Sequence, residues 1–243
     1  MTKLTVFDSP EILYANAADH IVSLCKSSIE KNGRCSIALS GGNTPRKLYE
    51  LLATSPYASA LPWKNIFIFW SDERCVPLTD KNNNAFMALD ALLNQVDIPT
   101  ENIFRIPVQY PPAEAAAHYE RVIKEFFRDA WPVFDLVLLG LGDNGHTASL
   151  FPYTDILHNS SNLVKEVYVP SLDAYRISFT ARLINHATEV LFLVSGIEKA
   201  DILPIILHGK KDTDKYPAQL IDASQGQVLW YADKEAASKI KKK

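Results

Sequence analysis

Three short polar stretches concentrate the residue types that do chemistry. The first, Ser40-Gly41-Gly42-Asn43-Thr44-Pro45, joins an apolar run to a helical pattern. Glycine lets the main chain approach a ligand and adopt positive φ. A helix start adds unpaired N–H groups and the positive end of a dipole, which together suit a phosphate. An ordinary glycine turn reads the same way, and the Gly-Lys-Ser/Thr ending of a Walker loop is absent. The second stretch, Ser71-Asp72-Glu73-Arg74, follows another apolar run. Two carboxylates and a guanidinium are costly to bury unless paired. Arg74 suits an anionic substrate or a developing oxyanion, and Asp72 suits the orientation of a catalytic partner. A local salt-bridged turn is the alternative.

The third stretch is Gly140-Leu141-Gly142-Asp143-Asn144-Gly145-His146-Thr147, formally a G-x-G-x-x-G. A dinucleotide fingerprint needs a full helix after its last glycine and an acidic residue about 20 positions on. Here Pro152 interrupts soon after Gly145, and the acidic candidate, Glu166, falls inside a strand pattern, so that reading is set aside. What the loop offers is His146, whose type titrates near about 6.5 and moves protons at neutral pH. His20, His118, His158, His186 and His208 lie in helix-like or loop stretches without such neighbours and read as structural. Arg176 opens a strand pattern, and Lys199 sits in the first turn after Gly196, where a bound anion would offset its opposition to the helix dipole.

The elements that must position these loops alternate. Ser9-Pro10 reads as a cap and first turn, followed by Ile12, Leu13, Ile21, Leu24, Cys25 and Ile29 at helical spacing up to Asn32-Gly33. Residues 35–39, 66–70, 134–139 and 190–194 are short apolar runs that read as buried strands. Helices are expected at 44–52, around 86–93, over about 113–129, and over 197–203, the last stopped or kinked by Pro204. Residues 164–169 and 176–180 read as further strands, and 228–231 as a last one. Continuous apolar strands between helices predict a largely parallel sheet covered on both faces, an α/β fold of three α/β/α layers. Ligands in such folds sit beyond the carboxyl ends of the strands, so the three loops are expected to meet along one rim.

Composition narrows the partners. The chain has 243 residues, is 47% hydrophobic and 22% charged, and carries a net charge of −3. It reads as one domain over 1–243, with no repeat or linker. No basic stripe points to nucleic acid or an anionic membrane, and no apolar run reaches the roughly 18 residues of a membrane span. The basic tail, Lys239 and Lys241 to Lys243, reads as solvated. Cys25, Cys35 and Cys75 are odd in number and widely spaced, which argues against a disulfide framework or a zinc site. No signal peptide is apparent, so a cytoplasmic protein is expected.

Taken together, SGGNTPRKLYELL, FWSDERCVP with NNNAFMALDALL, and FDLVLLGLGDNGHTASLFP resemble the 6-phosphogluconolactonase family, with weaker matches at RISFT and GIEKA. The resemblance runs from about Ser36 to Lys199, and GHTASLFP and SDER are its specific parts. It implies a modified Rossmann-like domain related to glucosamine-6-phosphate deaminases and ribose-5-phosphate isomerases. It also implies hydrolysis of 6-phospho-D-glucono-1,5-lactone to 6-phosphogluconate in the oxidative pentose phosphate pathway, without an organic cofactor; no metal is expected either. The family usually has Asp-Gly-His in the third motif, where this chain has Asn144-Gly145-His146.

On this reading His146 is the general base, with Arg74 and Asp72 beside it in the catalytic set. The phosphate and substrate would lie on Ser40, Gly41, Gly42, Asn43, Thr44 and Asn144, with Arg176 and Lys199 as counter-charges. The partner is a small sugar phosphate lactone, and the chain a monomer or small homo-oligomer. A deaminase of the same fold is the main rival. Deaminases look like G-H-I-A-F-N-E-P and Asp-Glu-Tyr at the two motifs, where this chain has Phe151 and Arg74. A non-catalytic sugar-phosphate sensor would need a DNA-binding segment, which a single helix before the first strand does not provide.

Overall fold

The computed structural model describes residues 2–128, 130–223 and 226–240. Asp129, the expected end of the long helix, and the tail lysines Lys241 to Lys243 lie outside them. The chain runs β1 (Thr2–Phe7), α1 (Pro10–Asn32), β2 (Cys35–Leu39), α2 (Asn43–Leu52), α3 (Tyr57–Ala60), β3 (Ile66–Trp70) and β4 (Asp72–Arg74). It continues through α4 (Asn84–Ala88), α5 (Pro112–Phe126), β5 (Leu136–Leu139), β6 (Val164–Val169), β7 (Ala174–Phe179), α6 (Ala181–Ile184), β8 (Glu189–Val194), α7 (Ile202–His208) and β9 (Gln227–Asp233).

Six strands form a parallel sheet in the order β1-β9-β8-β5-β2-β3. Every residue of β2 and β5 is buried. Because successive side chains point to opposite faces, both faces of the sheet are covered, giving the α/β/α layering. The chain passes from β2 to β3 on one side, then returns with β5 on the other side of β2. The crevice at this reversal, beyond the carboxyl ends of β2 and β5, is where an open α/β sheet takes a ligand. No helix among the described residues is long and apolar enough to cross a membrane.

The local signals are honoured at α1. Ser9 accepts the Ile12 N–H at 3.4 Å, Pro10 fills the first helical position, and Gly33 closes the helix at φ 75° with its N–H on Ile29 O. Leu13, Ala17, Ile21 and Leu24 bury one face.

Four expectations are corrected. A strand, β1, precedes the first helix; it is a half-exposed edge paired with β9, so its residues lack an apolar run. Asp72–Arg74 is not loop but the edge strand of a second, antiparallel sheet, β4-β7-β6, whose charged residues hid it. Ser71 stitches the two sheets together, its N–H on Leu39 O at 2.8 Å and its carbonyl receiving Phe179 N–H at 2.7 Å. Residues 197–203 are not one helix: a 3-10 turn, Ile197–Lys199, precedes α7. Pro204 lies in the first turn of α7, where its missing N–H breaks no intrahelical bond.

Candidate active site

All eleven residues singled out in the sequence line one cleft of about 580 Å³, together with Asn84, Ser149, Phe151 and others. The remaining histidines do not line it.

The glycine turn leaves β2 and enters α2. Tyr49 of α2 pins it, accepting Ser40 N–H at 3.0 Å and donating to Ser40 O at 2.9 Å. Gly42 sits at φ 102°, where other residues are strained. No side chain caps α2 and its first turn holds no acid, so its leading N–H groups, around Asn43 and Thr44, remain available to an anion. Gly41 is needed for a different reason than ligand approach. A Cβ there would stand 2.0 Å from Asn84 Oδ1, so the missing side chain makes room for Asn84.

Asp72 and Glu73 form no ion pair with Arg74 among the described residues, so the salt-bridged turn is ruled out. Glu73 turns inward and accepts three main-chain N–H groups: Arg74 at 2.8 Å, Asn84 at 2.7 Å and Ala85 at 2.8 Å. It fastens β4 to the start of α4, and burial pushes its carboxyl up to about 7 against these bonds. Asp72, also buried, receives Ser149 Oγ–H at 2.6 Å, and Asn84 Nδ2 donates to its main-chain carbonyl at 2.9 Å. Burial raises the Asp72 carboxyl, while the Ser149 bond holds it down.

Arg74 and Arg176 are directly opposed across the β4–β7 pair. Like charges so placed repel. Arg74 Nη1 donates to Asn82 O at 2.6 Å and Arg176 Nη1 to Tyr175 O at 3.3 Å; among the described residues neither has a carboxylate within ion-pair distance. Burial, then the Arg74 charge, depress the Arg176 guanidinium. Two guanidiniums without a carboxylate partner among the described residues thus face one cleft, an arrangement that suits an anion. Lys199 lines the same cleft, with its ammonium paired with the Asp143 carboxylate.

The histidine loop is a tight turn, with Gly142 N–H on His146 O and Gly145 N–H on Gly142 O, each at 2.9 Å. Asn144, expected to touch substrate, lines the cleft, and its Oδ1 takes the His146 main-chain N–H at 3.1 Å and lies 2.6 Å from His146 Nδ1. A main-chain N–H only donates, so the Asn144 atom facing it is the oxygen. That oxygen in turn requires a proton on Nδ1, which leaves the lone pair on Nε2.

His146 is half-buried and stacks on Phe151 at 4.2 Å between ring centroids. Its pKa is corrected from the ordinary value assumed for it: burial first, then the Lys199 charge, hold it down at about 4, with Arg176 and Arg74 adding and Asp143 opposing. At neutral pH the ring is therefore a neutral imidazole. Ser149, Glu73 and Asn84 were not singled out in the sequence. Apart from the Arg74 N–H on Glu73, the partners named above lie at least 11 residues away along the chain, and only the Asn82-Asn83-Asn84 run marked one of them.

A Rossmann-like α/β sheet with a cleft at its switch point, lined by two arginines, an uncapped helix start and a neutral histidine, fits a class of proteins that transform sugar phosphates. The comparisons agree. The chain belongs to the glucosamine-6-phosphate isomerase/6-phosphogluconolactonase family, whose model matches residues 8–230. It is 41% identical to a 6-phosphogluconolactonase of Nostoc over 94% of both chains. It is 40% identical to one of Synechocystis over 98% of both. The 6-phosphogluconolactonase structure from Trypanosoma cruzi superposes with a TM-score of 0.88 at 30% identity, covering 100% of this chain and 98% of that one.

Proposed function

We propose that this chain hydrolyses 6-phospho-D-glucono-1,5-lactone to 6-phospho-D-gluconate in the oxidative pentose phosphate pathway. The observation that carries the reading is a neutral imidazole, its Nε2 lone pair set by Asn144, in the same cleft as an uncapped helix start and two arginines without a carboxylate partner among the described residues. The relatives named as lactonases support it. The phosphate lies on the N–H groups around Gly42 to Thr44 and on Arg176. His146 Nε2 takes a proton from water as the oxygen adds to the lactone carbonyl. Arg74 and loop N–H groups receive the developing oxyanion. The tetrahedral intermediate then collapses, and the proton on His146 passes to the departing ring oxygen. Asp72, held by Ser149, orients the Arg74–Arg176 face. Three free thiols, with Cys25 and Cys35 sulfurs 3.6 Å apart, suit a reducing cytoplasm.

The test is a coupled assay on freshly generated 6-phosphogluconolactone, corrected for spontaneous hydrolysis. Turnover well above background is expected, and ammonia release from glucosamine 6-phosphate in its place would overturn the reading. Within that assay, Arg176→Met is expected to raise KM by about 10- to 100-fold, since a hydrogen bond to a charged group contributes about 1.5–3 kcal/mol. Its effect on the unphosphorylated lactone should be small.

The pH profile follows from the imidazole. The base works only unprotonated, so activity is lost as pH falls through its pKa. With that value at about 4, kcat/KM should stay level from neutral pH down to about 5 and then fall. An acid limb centred at about 6.5, the unperturbed value, would contradict the buried, cation-flanked ring.

A further inference from the structure

Phe151 has no polar group to offer the reaction, yet it lines the cleft and is only 9% exposed. Its ring lies nearly parallel to the His146 imidazole, 16° from coplanar with centroids 4.2 Å apart. The main chain that delivers it is constrained on both sides. Ala148 and Tyr153, neither of them glycine, hold φ of 47° and 60°. Such residues are strained and persist only where the surroundings over-determine them. The surroundings do so here: Thr147 Oγ1 donates to Gly140 O at 2.8 Å, Leu150 N–H to Thr147 O at 2.9 Å, Thr154 Oγ1 to Phe151 O at 2.7 Å, and Tyr153 N–H to Asp214 O at 3.0 Å. Leu150, next to Phe151, is wholly buried in the core.

We propose that Phe151 is a positioning residue for the general base: it holds the plane in which His146 Nε2 points and keeps water off one ring face. This rests on the reading of His146 given above. Asn144 fixes the ring at one edge, through Nδ1, but a single hydrogen bond leaves the ring free to tilt about it. The stacked phenyl removes that tilt. It also removes water that would otherwise solvate an imidazolium. The charged groups acting on the ring are Lys199, Asp143, Arg176 and Arg74. All four remain when Phe151 is changed, so a change in titration reports the phenyl alone.

The test pairs Phe151→Ala with Phe151→Leu, the second retaining apolar volume should the first fail to fold. NMR titration of the His146 ring is expected to move from about 4 toward 6.5 in Phe151→Ala and part of the way in Phe151→Leu. In the lactone assay, kcat at neutral pH should fall about tenfold in Phe151→Leu with KM within about twofold, as for a misplaced catalytic group. A lower melting temperature with the titration and kcat unchanged would reduce Phe151 to a packing residue and overturn the inference. The titration reads the ring without turnover. It therefore stands apart from the base assignment, which would fail instead if His146→Gln retained activity.

Discussion

His146→Gln is expected to lower kcat for 6-phosphogluconolactone hydrolysis by about 10²–10⁴-fold, the range that a positioned general base supplies. KM should change little. Glutamine preserves a planar polar end of similar reach, and at neutral pH it replaces a ring that carries no charge. The groups proposed to bind the anion, Arg74, Arg176 and the start of α2, are supplied by other elements. Thermal stability should also be nearly unchanged, since the loop closes through main-chain bonds between Gly142 and His146 and between Gly145 and Gly142. The residual rate should lose its acid limb near pH 4. Steady-state kinetics across pH check both points. A variant that keeps wild-type kcat would move the base elsewhere in the cleft; Asp72 would then be the candidate to test, because burial raises its carboxyl.

Much of this arrangement was legible in the chain. The apolar runs at 35–39, 66–70 and 190–194 are strands of a parallel sheet, and the loops after β2, β3 and β5 do meet. Period and turn chemistry are local properties, and local properties survive into the fold. What escaped depends on contacts between distant residues. Asp72–Arg74 looked like loop because strands are recognised by apolar patterning, and this strand borders a polar cleft. Glu73 reads only as one carboxylate of a salt-bridged turn, yet its partners are main-chain N–H groups, two of them at the start of α4. Lys199 reads as a counter-charge to phosphate, and nothing in the local pattern shows that Asp143 is its partner. The Asn144 case is the most instructive. An amide stands in the family's usual aspartate position, and the geometry makes it the acceptor that selects the Nδ1-protonated tautomer. Sequence spacing placed the two side chains within reach; only the paired main-chain contact decided which amide atom faces the ring.

Gly142→Ala is expected to disable the protein nearly as fully as losing the imidazole. A Cβ at Gly142 would stand 2.0 Å from His146 Nδ1 and 2.1 Å from Cε1, distances no packed atoms tolerate. Gly142 does not occupy the positive-φ region, unlike Gly145 at φ 82° in the same loop, so alanine suits its main chain. The collision is therefore with the side chain alone. The imidazole can swing out about its own torsions, so the chain should fold. It leaves behind Asn144 Oδ1 and the face of Phe151. The expected kcat is within about tenfold of His146→Gln, with KM preserved, because the groups proposed to bind phosphate are untouched. The double variant Gly142→Ala/His146→Gln gives the sharper reading. Two changes acting through one group are not additive. If the methyl acts only by expelling the ring, it should cost nothing further once the ring is gone, and the double variant should match His146→Gln alone. Additive losses would mean instead that Gly142 serves the reaction directly, through a main-chain N–H or by leaving room for substrate where the methyl would sit.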